Sequence, residues 1–314
     1  YRGEPQAQLA LADAVARWVS HSSPSSVDSP GGSQFDGEWA IGTCQMAVIG
    51  LAQVVEQHPK TRDRYLPAMQ RCLSWMLTDE AQGFAAARWG SRAPDAQAWH
   101  GYTNFALARY RRIDDAFADE HDDLRARLAA ALVRPVHEFQ TYPGETYPPD
   151  LATVAGSLAL YDPPAALPDW LARFEAAAVD SETGLLHQRL SPVTGEPVDA
   201  PRGSGSAFAA FFLHPADPDL SRQLTAALSH RTFLGFGGIR EYAPGVFGMG
   251  DIDSGPVIFG VGVSATGFAI GGARLHRDEA RYRSLVRTAT LFGVPIPWNP
   301  VSYTHLRAHE TVRN

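Results

Sequence analysis

"GMGDIDSGPVIFGVGVSATGFAIGGA", residues 248–273, sets two carboxylates, Asp251 and Asp253, directly before a run of Gly, Ser, Ala, Val and Phe. The run is too apolar for a helix that faces water and too rich in small residues for an ordinary core helix. It reads as a helix packed on all sides by close neighbours, starting near Ser254. Four earlier stretches share this character: "EWAIGTCQMAVIGLAQVV", "AWHGYTNFALARY", "DLATVAGSLALY" and "SGSAFAAFFL". The five begin near Glu38, Ala98, Asp150, Ser204 and Ser254, at offsets of 60, 52, 54 and 50 residues. A period of that length is a repeat of helix pairs.

Amphipathic helices with charged faces alternate with the uncharged ones, over about 5–20, 60–78, 117–140, 167–178, 217–230 and 277–292. Helices apolar all round, alternating with one-sided ones, fit two concentric layers. The predicted fold is therefore all-α: an (α/α) toroid, or six-hairpin barrel, with parallel inner helices and short β-hairpin excursions. A superhelical array of helix pairs is the plainer alternative, but its concave helices would carry polar side chains along their length. "GLLHQRLSPVTGEPV" reads as two short strands about a Thr-Gly turn, and "GFGGIREYAP" as a further strand.

Hydrophobic content of 45% and charged content of 19% fit a globular protein with a sizeable core, and 314 residues suffice for one large domain. A net charge of −7 with no Lys/Arg stripe argues against a nucleic-acid partner. No uninterrupted apolar run is long enough for a membrane span. The two cysteines, Cys44 and Cys72, have no metal-ligand spacing and form no disulfide framework. They read as buried free thiols, with a bridge between them as the alternative, so the compartment stays open. The chain starts at Tyr1, and "VSYTHLRAHETVRN" at 301–314 resembles a translated sequencing adapter. Residues 1–300 are expected to form one domain truncated at both ends, and His305 and His309 are set aside as ligands.

Polar residues gather at the start of each uncharged helix. They are Asp36, Glu38 and Trp39; Asp95, Trp99, His100, Tyr102 and Asn104; Glu145, Tyr147 and Asp150; Arg202, Ser204 and Ser206; and Asp251, Asp253 and Ser254. Parallel inner helices would bring all five groups to one mouth. Carboxylates and aromatics at a concave opening suit acid–base chemistry, with one carboxyl held protonated beside an ionised neighbour. Asp251, Glu145, Tyr147, His100 and Tyr102 are the candidate catalytic groups. Asp36, Glu38, Trp39, Trp99, Asn104, Asp150, Arg202, Ser204 and Asp253 are candidates for binding substrate. Asp253 is expected to cap the fifth inner helix and stay ionised, leaving Asp251 as the acid. Ordinary capping and surface solvation would account for any one acidic residue here, and His100, Trp39 and Trp99 could simply pack. "GFGG" lacks the strand–loop–helix setting of a phosphate loop, and "GSGSA" lacks the setting of a nucleophile elbow. No zinc-ligand spacing occurs outside the tail, so no metal is expected.

The middle of the chain, from about Trp99 to Pro218, resembles the linalool dehydratase-isomerase family. The likeness rests on "HGYTNFALARY", "GETYPPDLATVAGSLALYD" and the segment "VDSETGLLHQRLSPVTGEPV" between two helices. It implies an (α/α) six-hairpin toroid that holds a terpene alcohol without metal or organic cofactor and removes or moves its hydroxyl. Asn104 and Asp150 match the family's pattern. Tyr102 stands at the place of its catalytic histidine, and Tyr147 and Gly156 at the places of its two active-site cysteines. The leading expectation is a cofactor-independent acid–base enzyme of lyase or isomerase type acting on a small alcohol. A carbohydrate-active toroid, glycoside hydrolase or polysaccharide lyase, is the alternative. A non-catalytic toroid that binds a ligand or protein is the third reading, and would leave its carboxylates solvated and separate. Nothing in the sequence fixes the oligomeric state.

Overall fold

The computed structural model describes residues 5–22, 37–90 and 97–292. Asp36, Asp95 and the adapter-like 301–314 lie outside the described residues. Among the described residues twelve α-helices dominate. The amphipathic set is α1 (Pro5–His21), α3 (Arg62–Met76), α6 (Ala118–Ala131), α8 (Leu167–Ala178), α10 (Pro218–Ala227) and α12 (Glu279–Phe292). The uncharged set is α2 (Glu38–Gln57), α5 (Gln97–Arg111), α7 (Pro148–Ala159), α9 (Gly203–Leu213) and α11 (Val263–Leu275). One helix, α4 (Asp79–Trp89), breaks the expected alternation between α3 and α5. Thr78 starts it, accepting a hydrogen bond from Ala81 N–H at 3.2 Å.

The uncharged helices pack on one another in chain order, α2 on α5, α5 on α7, α7 on α9 and α9 on α11, and the amphipathic ones cover them. Their glycines permit the close approach. A Cβ on Gly156 of α7 would stand 1.9 Å from the Phe212 carbonyl oxygen of α9. Direction is read from matching ends. Tyr102 near the start of α5 donates to Asp150 at the start of α7. At the far ends Arg109 of α5 pairs with Glu56 of α2 at 2.9 Å, and Arg274 of α11 donates to Gln57 of α2 at 3.1 Å. These helices therefore run the same way. Ridge residues of α6 such as Leu124 and Leu128 are buried, and so is Ala265 of α11. Among the described residues α2 alone is long and apolar enough to cross a membrane, and 56% of its most apolar window is buried inside the protein.

The stretch around Ser254 corrects one expectation. The fifth uncharged helix begins at Val263, because residues 257–262 form a hairpin of β3 (Val257–Ile258) and β4 (Val261–Gly262). Pro256 and the positive φ of Gly255 (63°) and Gly260 (81°) hold this chain out of a helix. Val257 and Val261 are accordingly only half-buried, and Phe259 at the turn is fully exposed. A second hairpin pairs β1 (His230–Phe233) with β2 (Phe236–Ile239), where the sequence placed a strand. The 184–198 segment makes isolated bridges instead of two full strands, with Leu190 opposite Pro197 about the turn and opposite Thr146 on its other side.

Candidate active site

The loop into α7 carries the centre of the polar cluster. Gly144, at φ 87°, turns the chain so that Tyr142 and Glu145 bridge each other. Pro148 and Pro149 then open α7, where a missing N–H costs nothing, and Asp150 follows in the first turn. Asp150 accepts a 2.6 Å hydrogen bond from the Tyr102 hydroxyl. Tyr142 donates a short hydrogen bond to Glu38 at the first turn of α2, and the Arg88 guanidinium of α4 lies 4.7 Å from the Tyr142 ring centre. Tyr147 donates to Glu145 at 2.8 Å, and Arg189 stands 3.8 Å from the same carboxylate.

Asp251 and Asp253 enter from the loop before β3, and their settings are the reverse of those expected. Asp251 folds back on its own loop, accepting from the N–H groups of Asp253 at 3.1 Å and Ser254 at 3.0 Å. Its other oxygen pairs with Arg202. Burial raises its carboxyl, but the Ser254 N–H and the Arg202 guanidinium more than offset this and hold it below the usual range. Asp251 is thus a tied, ionised turn residue. Asp253 caps nothing, because the helix begins ten residues later at Val263. Burial raises its carboxyl, and the charges of Asp150 and Asp251 add to this, to about 6. Its side chain still meets solvent. The charge of Asp253 is felt by Glu38 of α2, Tyr102 of α5 and both Tyr142 and Tyr147 of the α7 loop. It therefore lies near the starts of α2, α5 and α7.

Asp150 is also raised to about 6, by burial first, against hydrogen bonds from Tyr102 and Thr141 and with a further push from Glu38. Burial raises Glu38 as well, although Tyr142 and Arg88 oppose it. Tyr102, Tyr142 and Tyr147 are all held protonated by burial and their carboxylate neighbours. Aromatic surface adjoins this cluster. Tyr102 lies 5.9 Å from Phe208, and Phe208 lies 5.1 Å from Phe268 of α11, which keeps 40% of its surface exposed.

Several candidates do not reach the cluster. Asn104 is fully buried and donates to Ser157 at 2.9 Å, so it joins α5 to α7. Ser204 is buried and donates to Glu241 at 2.6 Å. His100 is buried with its ring 4.4 Å from that of Trp99, and Trp99 packs edge-on against Phe84. Trp39 is partly exposed beside Glu38. Arg202 serves Asp251 and lies against the Tyr242 ring. Sequence reasoning missed Tyr142, although the doubled "TYP" of "TYPGETYPPD" marks two equivalent tyrosines. It also missed the buried Glu241, whose setting depends on a long-range contact. A separate groove of about 730 Å³, lined by residues including Tyr242, Phe247, Met249 and Phe259, contains none of the clustered carboxylates. Among the described residues no three His, Cys, Asp or Glu side chains form a group able to hold a metal ion.

No family model matches this chain, and no curated protein matches it in sequence.

Proposed function

We propose that this protein is an (α/α) toroid enzyme that performs acid–base chemistry on a small uncharged hydroxylated substrate, by dehydration, hydration or isomerisation. The parallel inner helices and the Arg274–Gln57 contact between the last and first of them support closure of the ring. The observation that carries the chemistry is the pair Asp150 and Asp253, both raised to about 6, with the charge of Asp150 among the causes that raise Asp253. Two such carboxyls lose their protons in two steps, so near pH 6 the pair holds a single proton. Asp150, fixed by hydrogen bonds that favour its charged form, suits the base. Asp253, open to solvent and able to regain a proton from it, suits the acid.

In the forward direction Asp253 gives its proton to the substrate hydroxyl, the C–O bond breaks and water departs. Asp150 takes a proton from the adjoining carbon, and that C–H electron pair becomes the new C=C bond. Readdition of water at another carbon gives the isomer. Tyr102 orients the base. The half-exposed Phe208 and Phe268 offer apolar surface to the hydrocarbon part. Clustered carboxylates disfavour an anionic substrate.

Glycoside hydrolysis is the second reading, favoured by the several carboxyl groups, Glu38, Asp150 and Asp253, that influence one another at the starts of α2 and α7. Incubation with a panel of allylic and tertiary alcohols, read by gas chromatography, and with oligosaccharides, read by reducing ends, separates the two. Alcohol turnover that falls about 10²–10⁴-fold in both Asp150→Asn and Asp253→Asn supports the proposal. Sugar release alone transfers it to hydrolysis, and full turnover by both variants refutes it.

A further inference from the structure

Cys44 lies in the middle of α2 and Cys72 near the end of α3, and they are the only cysteines in the chain. Both are fully buried, and their helices pack against each other. Across that contact Cys72 Sγ donates to Cys44 Sγ at 2.6 Å. An S–H donor is weak, and by itself gives little reason for two polarisable side chains to meet in the core. The pair also spans two different layers of helices, 28 residues apart in sequence. We infer that Cys44 and Cys72 form a disulfide when the chain folds in an oxidising compartment, clamping α2 to α3.

The chemistry is thiol–disulfide exchange with a low-molecular-weight disulfide such as oxidised glutathione. One thiolate attacks it, a glutathione thiolate leaves, and the second cysteine displaces the other glutathione. Two protein thiols lose two protons and two electrons, and two reduced glutathiones result. Its thiol partner and burial both push the Cys44 thiol up in the folded chain, so exchange is slow once the core has closed. Its consequence is mechanical. Cys44 lies on the helix whose first residue is Glu38, so the clamp fixes the start of α2 relative to the outer layer.

The test is read first on the parent chain. The chain is refolded with reduced and oxidised glutathione, denatured without reductant, alkylated and weighed intact. The expected product takes up no alkylating group and is lighter than the reduced chain by two hydrogens. Reductant should also lower its melting temperature by roughly 5 °C, as for a loop of this size. The melting temperature of Cys44→Ala/Cys72→Ala should not respond to reductant. Alkylation of both cysteines after oxidative refolding would overturn the inference, whatever the fate of the acid–base reading.

Discussion

Replacing Asp150 by asparagine should make the protein more stable at pH 8 and leave its stability nearly unchanged near pH 4. Asp150 has a carboxyl at about 6 in the folded chain against 3.8 as the reference. Below pH 3.8 both folded and unfolded chains hold the proton, and the group contributes nothing. Between 3.8 and about 6 the unfolded chain releases the proton while the folded chain retains it, so stability falls as pH rises. Above about 6 the loss is complete and constant. At about 1.36 kcal/mol per pH unit the full loss approaches about 3 kcal/mol. Asparagine removes the charge and keeps an acceptor for Tyr102, so a gain of about 1–3 kcal/mol at pH 8 is expected. Urea denaturation of both proteins from pH 4 to 8 measures the difference directly. A difference that does not change with pH, or a variant less stable than the parent at pH 8, would refute the reasoning.

Asp251→Asn should cost under about 1 kcal/mol, because its Arg202 pair is partly exposed, and should keep turnover within about tenfold of the parent. Loss of activity as deep as in Asp253→Asn would return the acid role to Asp251. Gly156→Ala should destabilise by about 3 kcal/mol or more in urea, since the new methyl meets the Phe212 backbone and not a yielding side chain. A neutral result would mean that α7 and α9 are not held as close as described. Phe268→Ala should raise KM with little change in kcat if the ring only binds the hydrocarbon part, and a kcat loss without a KM change would exclude that role.

Helix content and the alternation of uncharged with amphipathic helices were legible because both follow from side-chain chemistry read at helical spacing. The amphipathic helix at 167–178 lies where its pattern places it. The start of α11 was misread because Gly-rich apolar sequence fits a buried helix and a hairpin equally. Pro256 and two left-handed glycines decide between them, and their effect depends on local geometry. The helix α4 was missed because "DEAQGFAAARW" presents neither a full apolar stripe nor an uncharged run. At the site, the gathering of helix starts was readable from their parallel run, but the facing of individual side chains was not. Asp251 and Asp253 are two residues apart, and only the long-range contact to Arg202 determines which is tied down. Asn104 and Ser204 looked equivalent to Tyr102 in sequence, yet each finds a buried partner instead.

Side-chain carboxyl resonances of aspartate, followed by carbon-detected NMR from pH 3 to 9, test the coupled pair most directly. Two aspartate carboxyls, assigned to Asp150 and Asp253, should titrate near pH 6. In Asp150→Asn the Asp253 resonance should move to lower pH, because the charge that raises it is gone. Titration of both near the ordinary carboxylate value, or an Asp253 curve unchanged by the substitution, would contradict a shared acid–base site.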